Sequence, residues 1–122
     1  MFKYTFFGND DSIVYIESDG QIITDVQSAL DLMATVQYEH HCNKIILDQQ
    51  AISEDFFNLR TGMAGEILQK FINYHTKLAI VGDFSKYTSN ALRDFIRECN
   101  RGKDIFVVDH LDQAVEKLAA AN

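Results

Sequence analysis

Proline is absent from the 122 residues, and with it any Pro-rich linker or proline-marked boundary between units. Cysteine is nearly absent. Cys42 and Cys99 are a lone pair in a chain that is 47% hydrophobic, which predicts two reduced thiols rather than a disulfide framework. No apolar run approaches the roughly 20 residues that cross a bilayer, and the first residues lack a basic segment followed by an apolar one. Neither a membrane span nor an export signal is expected, and the expected compartment is the cytoplasm. Basic residues are few beside acidic ones, 11 against 18, and the net charge of −7 opposes a nucleic-acid backbone or an anionic membrane surface as partner.

The usual signatures of chemistry are missing as well. The glycines after candidate strands form neither G-x-G-x-x-G nor a Walker sequence. His40-His41-Cys42 carries metal-ligand chemistry, but adjacent residues at a helix end point in different directions and no spaced partner group follows. Cys99 lies on an apolar stripe without a nearby histidine, and His75 and His110 stand alone. Neighbouring acids such as Glu54-Asp55 and Asp10-Asp11 sit in polar loops without a nucleophile at a catalytic spacing. No cofactor, metal or catalytic set is expected.

What is present is a regular alternation. Phe2 to Phe7 and Ser12 to Glu17 read as strands around the turn Gly8-Asn9-Asp10-Asp11, forming an antiparallel hairpin. Thr24 and Gln27 have the spacing of a capping box, before a helix with Val26, Ala29, Leu30, Met33 and Ala34 on one stripe. Then come three short apolar runs ending in aspartate or shortly before it. They are KIILD to Asp48, KLAIVGD to Asp83 and DIFVVD to Asp109. Runs this short, apolar at consecutive positions, are expected of strands covered on both faces.

Helices fill the gaps. Ser53 is placed to cap a short helical turn, and Thr61 to cap a helix with Ala64, Ile67, Leu68, Phe71 and Ile72 buried. From Ser89, Leu92, Phe95, Ile96 and Cys99 form a further stripe that Gly102 ends in a C′ role. A last helix carries Leu111, Ala114, Val115, Leu118 and Ala119, and AAAN reads as a frayed end. The predicted order is β-β-α-β-α-β-α-β-α in one α/β domain over residues 1–122, with an N-terminal hairpin, then parallel strands with covering helices joined by right-handed crossovers.

Asp48, Asp83 and Asp109 then share the carboxyl edge of the sheet, where open α/β sheets bind ligands. If the second and third apolar strands are neighbours, Asp48, Glu54, Arg60 and Thr61 meet Asp83, Ser85, Lys86 and Arg93 beside two helix starts. Two readings of these residues stand. The Ser, Thr and Asp residues are caps and turn formers with Arg and Lys solvated, or the edge is a binding or regulatory site. Phe56 and Phe57 either anchor the loop to the core or cover a planar ligand.

At ISEDFFNLRTGMAGEILQKF, Ile52 to Phe71, and KLAIVGDFSKYTSNALRDFI, Lys77 to Ile96, the sequence resembles an uncharacterised bacterial family catalogued as a domain of unknown function. That resemblance spans nearly the whole chain and implies a small bacterial cytosolic protein without supplying an activity. The architecture resembles the STAS domains of anti-sigma factor antagonists. There, a strand ending in Leu-Asp leads to Asp-Ser-Ser-Gly at a helix start, and the serine before the glycine is phosphorylated. Leu47-Asp48 matches the strand end, and Thr61-Gly62 the phosphorylated position and its glycine. Arg60 replaces the preceding serine, no aspartate precedes it, and the loop is about three residues longer.

The resemblance implies a STAS-like mixed sheet and a regulatory module that docks a protein partner at the Thr61 edge, with phosphate on Thr61 as the switch. The alternative is a protein or enzyme for a small anionic ligand, held by Arg60, Lys86 or Arg93 and oriented by Asp83 or Glu54. An exposed first strand also predicts pairing with its copy as a homodimer.

Overall fold

The computed structural model describes residues 2–121. The aromatic Lys3–Phe7 (β1) and the apolar Ile13–Glu17 (β2) pair antiparallel, from Lys3 opposite Glu17 to Phe7 opposite Ile13. The turn between them closes with the Asp11 N–H donating to the Gly8 carbonyl at 3.3 Å. It needs a positive φ at both Gly8 (91°) and Asp11 (55°), which glycine adopts freely and aspartate tolerates.

Each later strand is short, apolar and added next to the one before it. Lys44–Asp48 (β3) runs parallel to β2, Lys77–Val81 (β4) parallel to β3, and Ile105–Val108 (β5) parallel to β4. The spatial order β1-β2-β3-β4-β5 is therefore the order in the chain. The long helices are Val26–His40 (α1), Met63–Asn73 (α3), Asn90–Arg101 (α4) and Leu111–Ala120 (α5), with a one-turn helix Glu54–Phe57 (α2). None among the described residues is long and apolar enough to cross a membrane.

Monotonic strand order joined by crossovers of one hand places every connecting helix on one face. That face is the larger core. Val14, Ile16, Ile45, Leu47, Leu78 and Ile80 pack there under Ala29, Leu32, Met33 and Val36 of α1, Ile67 and Phe71 of α3 and Leu92 of α4. The strand residues between them, Ile13, Ile46, Ala79 and Phe106, point the other way and are covered by Ala114 and Leu118 of α5 and by Ala121 just after it. Both faces of the parallel strands are thus apolar, which explains their uninterrupted hydrophobic runs.

Several boundaries differ from the sequence reading. The α1 cap is Asp25, whose Oδ1 accepts the Ser28 N–H at 2.8 Å while Ser28 Oγ accepts the Asp25 N–H at 3.1 Å. Thr24 and Gln27 form no such box, because Asp at position 25 completes the same exchange one residue later. The buried stripe of α1 follows its bulkier Leu32 and Val36, leaving Ala34 exposed and Leu30 at the flank. Ile72 is exposed at the end of α3. Gly102 takes an extended φ of −82° rather than the left-handed C′ conformation. The C-terminal end is docked rather than frayed: Ala121 is buried, and its carbonyl accepts from Lys44 Nζ at 3.0 Å. Asn122 lies outside the described residues.

Candidate functional site

β3 and β4 are neighbours, with Asp48 opposite Val81, so the loops that leave them run side by side at the carboxyl edge. The first loop turns at Gln49–Ala51 in a single 3₁₀ turn and is held down by a short parallel bridge between Ile23 and Ile52. Ser53 then caps α2 by accepting the Asp55 N–H at 3.3 Å, as its position predicts. Phe56 and Phe57 are buried, so both anchor the loop to the core.

A 3₁₀ turn over Leu59–Thr61 follows, and Gly62 (φ 76°), not Thr61, is the first flanking residue of α3. Thr61 acts on the turn instead. Its Oγ1 lies 2.8 Å from the Asp55 carbonyl and 2.9 Å from that of Asn58, either of which takes its proton, and it accepts the Met63 N–H at 3.2 Å.

In the second loop, Gly82 brings the backbone against Gln49. A Cβ at that position would sit 2.5 Å from Gln49 Oε1 and 2.6 Å from Gln49 Cβ. Asp83 closes a turn on Ser85, accepting from its N–H at 3.0 Å and its Oγ at 2.6 Å. Those bonds, the Ser85 hydroxyl first, hold the Asp83 carboxyl below the usual aspartate value. Ser89 caps α4 through the Leu92 N–H at 3.2 Å.

The two loops are tied by side chains. Gln49 Nε2 donates to the Tyr87 hydroxyl at 2.9 Å, and that hydroxyl donates to the Glu54 carboxylate at 3.0 Å. Lys86 Nζ lies 3.6 Å from Glu54 and 5.1 Å from the Tyr87 ring centre. Below them Phe57, Phe84 and Tyr87 form a cluster with ring centres 5.6 to 6.1 Å apart. Partial burial, then the hydrogen bond to Glu54 and that carboxylate's charge, pushes the Tyr87 hydroxyl above its ordinary pKa.

Between the loops lies an open cleft of about 440 Å³ lined by Asp48, Gln49, Gln50, Glu54, Val81, Gly82, Asp83 and Lys86. At its sheet end the Tyr15 hydroxyl donates to Asp48 Oδ2 at 2.7 Å, and burial followed by that bond raises the Tyr15 pKa. Of the residues singled out from sequence, Asp48, Glu54, Asp83 and Lys86 meet in this cleft, with Ser85 bound to Asp83 beside it. Arg60, Thr61 and Arg93 are exposed and do not line it. The cleft carries three carboxylates against one ammonium.

Gln49, Tyr87 and Tyr15 escaped the sequence reading. Tyr87 stands in the middle of the KYTS segment among residues that are mostly caps, and nothing in its spacing separates a hydrogen-bonded tyrosine from a packed one. Among the described residues no three His, Cys, Asp or Glu side chains are grouped to hold a metal ion. Cys42 is a buried free thiol donating to the Asp11 carbonyl at 3.1 Å, and burial raises the Cys99 pKa to about 11, so neither sulfur is activated.

A larger hollow of about 890 Å³ lies along the outer side of β5, between the end of α4 and α5. Here Asn100 holds the strand backbone at both ends of its amide. Its Nδ2 donates to the Val107 carbonyl at 3.0 Å, and its Oδ1 accepts the Val107 N–H at 2.7 Å. Gln113 Oε1 accepts the next outward N–H, that of Asp109, at 3.0 Å.

No curated protein and no solved structure matches the chain. One family matches residues 8–118, which contain both loops, every residue of the cleft and all but the first part of the hairpin. The chain belongs to this family, described as a domain of unknown function (DUF4180).

Proposed function

We propose that the protein is a STAS-like regulatory module that docks a protein partner through the carboxyl edge of β3 and β4. The observation that carries this reading is the Gln49–Tyr87–Glu54 chain of hydrogen bonds, which fixes two loops into one surface. No histidine or cysteine lies in the cleft lining and the Ser85 hydroxyl is spent closing a turn on Asp83, while Asp48 and Asp83 give the surface a negative face. The partner surface that complements it is basic. A small anionic ligand, the second reading, would find Lys86 as the one cation of the cleft lining and three carboxylates against it.

Thr61 is the switch in this proposal, and it works through shape. Phosphate on Oγ1 removes the proton now shared with the Asp55 and Asn58 carbonyls and puts about two negative charges at the turn. The turn loosens, and with it α2, which carries Glu54.

Cross-linking in host cells followed by recovery of the tagged chain tests both parts. A partner captured by the wild-type chain, released by salt and lost on joint Asp48→Lys and Asp83→Lys substitution supports the docking edge. Equal capture by the charge-reversed chain refutes it. Thr61→Glu and Thr61→Val should both weaken capture; if only Thr61→Glu does, the switch is one of charge, and if neither does there is no switch.

A further inference from the structure

The two outer edges of the sheet are treated differently. On β5, the outward N–H and carbonyl of Val107 are taken by Asn100 and the outward N–H of Asp109 by Gln113, so a further strand finds those positions filled. On β1, among the described residues, no bond outside the ladder with β2 reaches the backbone of Lys3–Phe7. Aromatic side chains are exposed on this strand and just before it, Phe6 at 37% and Phe2 at 40%. An edge strand with free backbone groups and exposed apolar side chains is a template for another strand.

We propose that a second copy of this chain fills that edge, β1 pairing antiparallel with the partner's β1 about a two-fold axis at Thr5. The strand's own sequence selects this occupant. Antiparallel self-pairing over all five residues sets Lys3 against Phe7, Tyr4 against Phe6 and Thr5 against Thr5. Lys3 is the only charge in the strand and never faces its own copy, so no like charges oppose each other across the seam. The symmetric Tyr4 and Phe6 pairs place aromatic rings against each other on the face where the His40 ring already lies 4.4 Å from Tyr4 and 5.4 Å from Phe6. Pairing covers Phe6 and joins the two sheets into one of ten strands.

Sedimentation equilibrium of the whole chain tests this. The wild-type chain should sediment as a dimer that dissociates on dilution, and Thr5→Glu, which sets two carboxylates across the axis, should raise the dissociation constant at least tenfold. Mixing Thr5→Glu with Thr5→Lys should restore the dimer mass. A monomeric wild-type chain, or a Thr5→Glu dimer as tight as the wild type, overturns the proposal. Should circular dichroism show Thr5→Glu unfolded, hydrogen exchange of the wild-type chain decides. Amide protection in Lys3–Phe7 that rises with protein concentration supports the pairing, and protection independent of concentration overturns it.

Discussion

At the scale of single residues, the carboxyl edge depends on one missing side chain. Gly82 has no Cβ because Gln49 occupies the space, so Gly82→Ala must displace Gln49 and break its bond to Tyr87. Overpacking of this kind costs about 1 to 3 kcal/mol, which a urea melt will read, and the Tyr87→Phe variant should make part of that loss non-additive because both changes cut the same chain of bonds. Tyr15 makes a pH prediction. Its pKa is raised in the folded protein above the ordinary 10.0, so the folded state binds its proton more tightly than the unfolded state does. The resulting stability is complete below about pH 10 and is lost as the pH climbs through the folded value. Tyr15→Phe should therefore flatten the alkaline fall in stability when melts at pH 9 and pH 11 are compared. Sequence made Asp48, Asp83 and Gly82 legible, because an apolar run that ends in such residues marks a strand end. The partners of those residues were not legible, since Tyr15 lies 33 positions from Asp48 and only the strand register brings them together.

At the scale of elements, caps separate the sequence reading from the fold most cleanly. Asp25→Ala should destabilise the protein by about 1 kcal/mol in chemical denaturation, while Thr24→Ala should cost little, because Asp25 makes the exchange with Ser28. Thr24 and Asp25 are both good caps, and one residue of register cannot be told from propensity alone. For Thr61 the reason differs. Its side chain serves the turn before α3, a role that depends on α2 folding back so that the Asp55 carbonyl comes within reach. Asn100 links α4 to β5 as no helix stripe could foretell, since it sits seven residues from Val107 and replaces a neighbouring strand. Asn100→Ala leaves two backbone groups without that partner, and the expected loss is about 1 to 3 kcal/mol with increased light scattering on standing. Unchanged stability and no scattering would show that the β5 edge does not need its plug.

For the whole molecule, the fold class was readable because strands and helices alternate with unambiguous periods, and short connections leave few topologies. The unequal covering of the two faces was not readable, because every parallel strand is apolar on both sides whatever lies over it. Three long helices cover one face and α5 the other, so Leu118→Ala, in a fully buried position of that single cover, should cost about 2 to 5 kcal/mol in a urea melt. A value typical of a surface site would mean that the second face is not a core. Strand order that repeats chain order also bears on how the protein comes into being. Each strand leaving the ribosome meets the strand made just before it, already in place, so pairing needs no long loop to close and no strand has to slide between two others. The sheet is able to grow from its hairpin outward during synthesis. α5 is made after all five strands, and until it emerges Ile13, Ile46, Ala79 and Phe106 stand bare on the nascent chain, which makes that interval one in which a chaperone has much to hold.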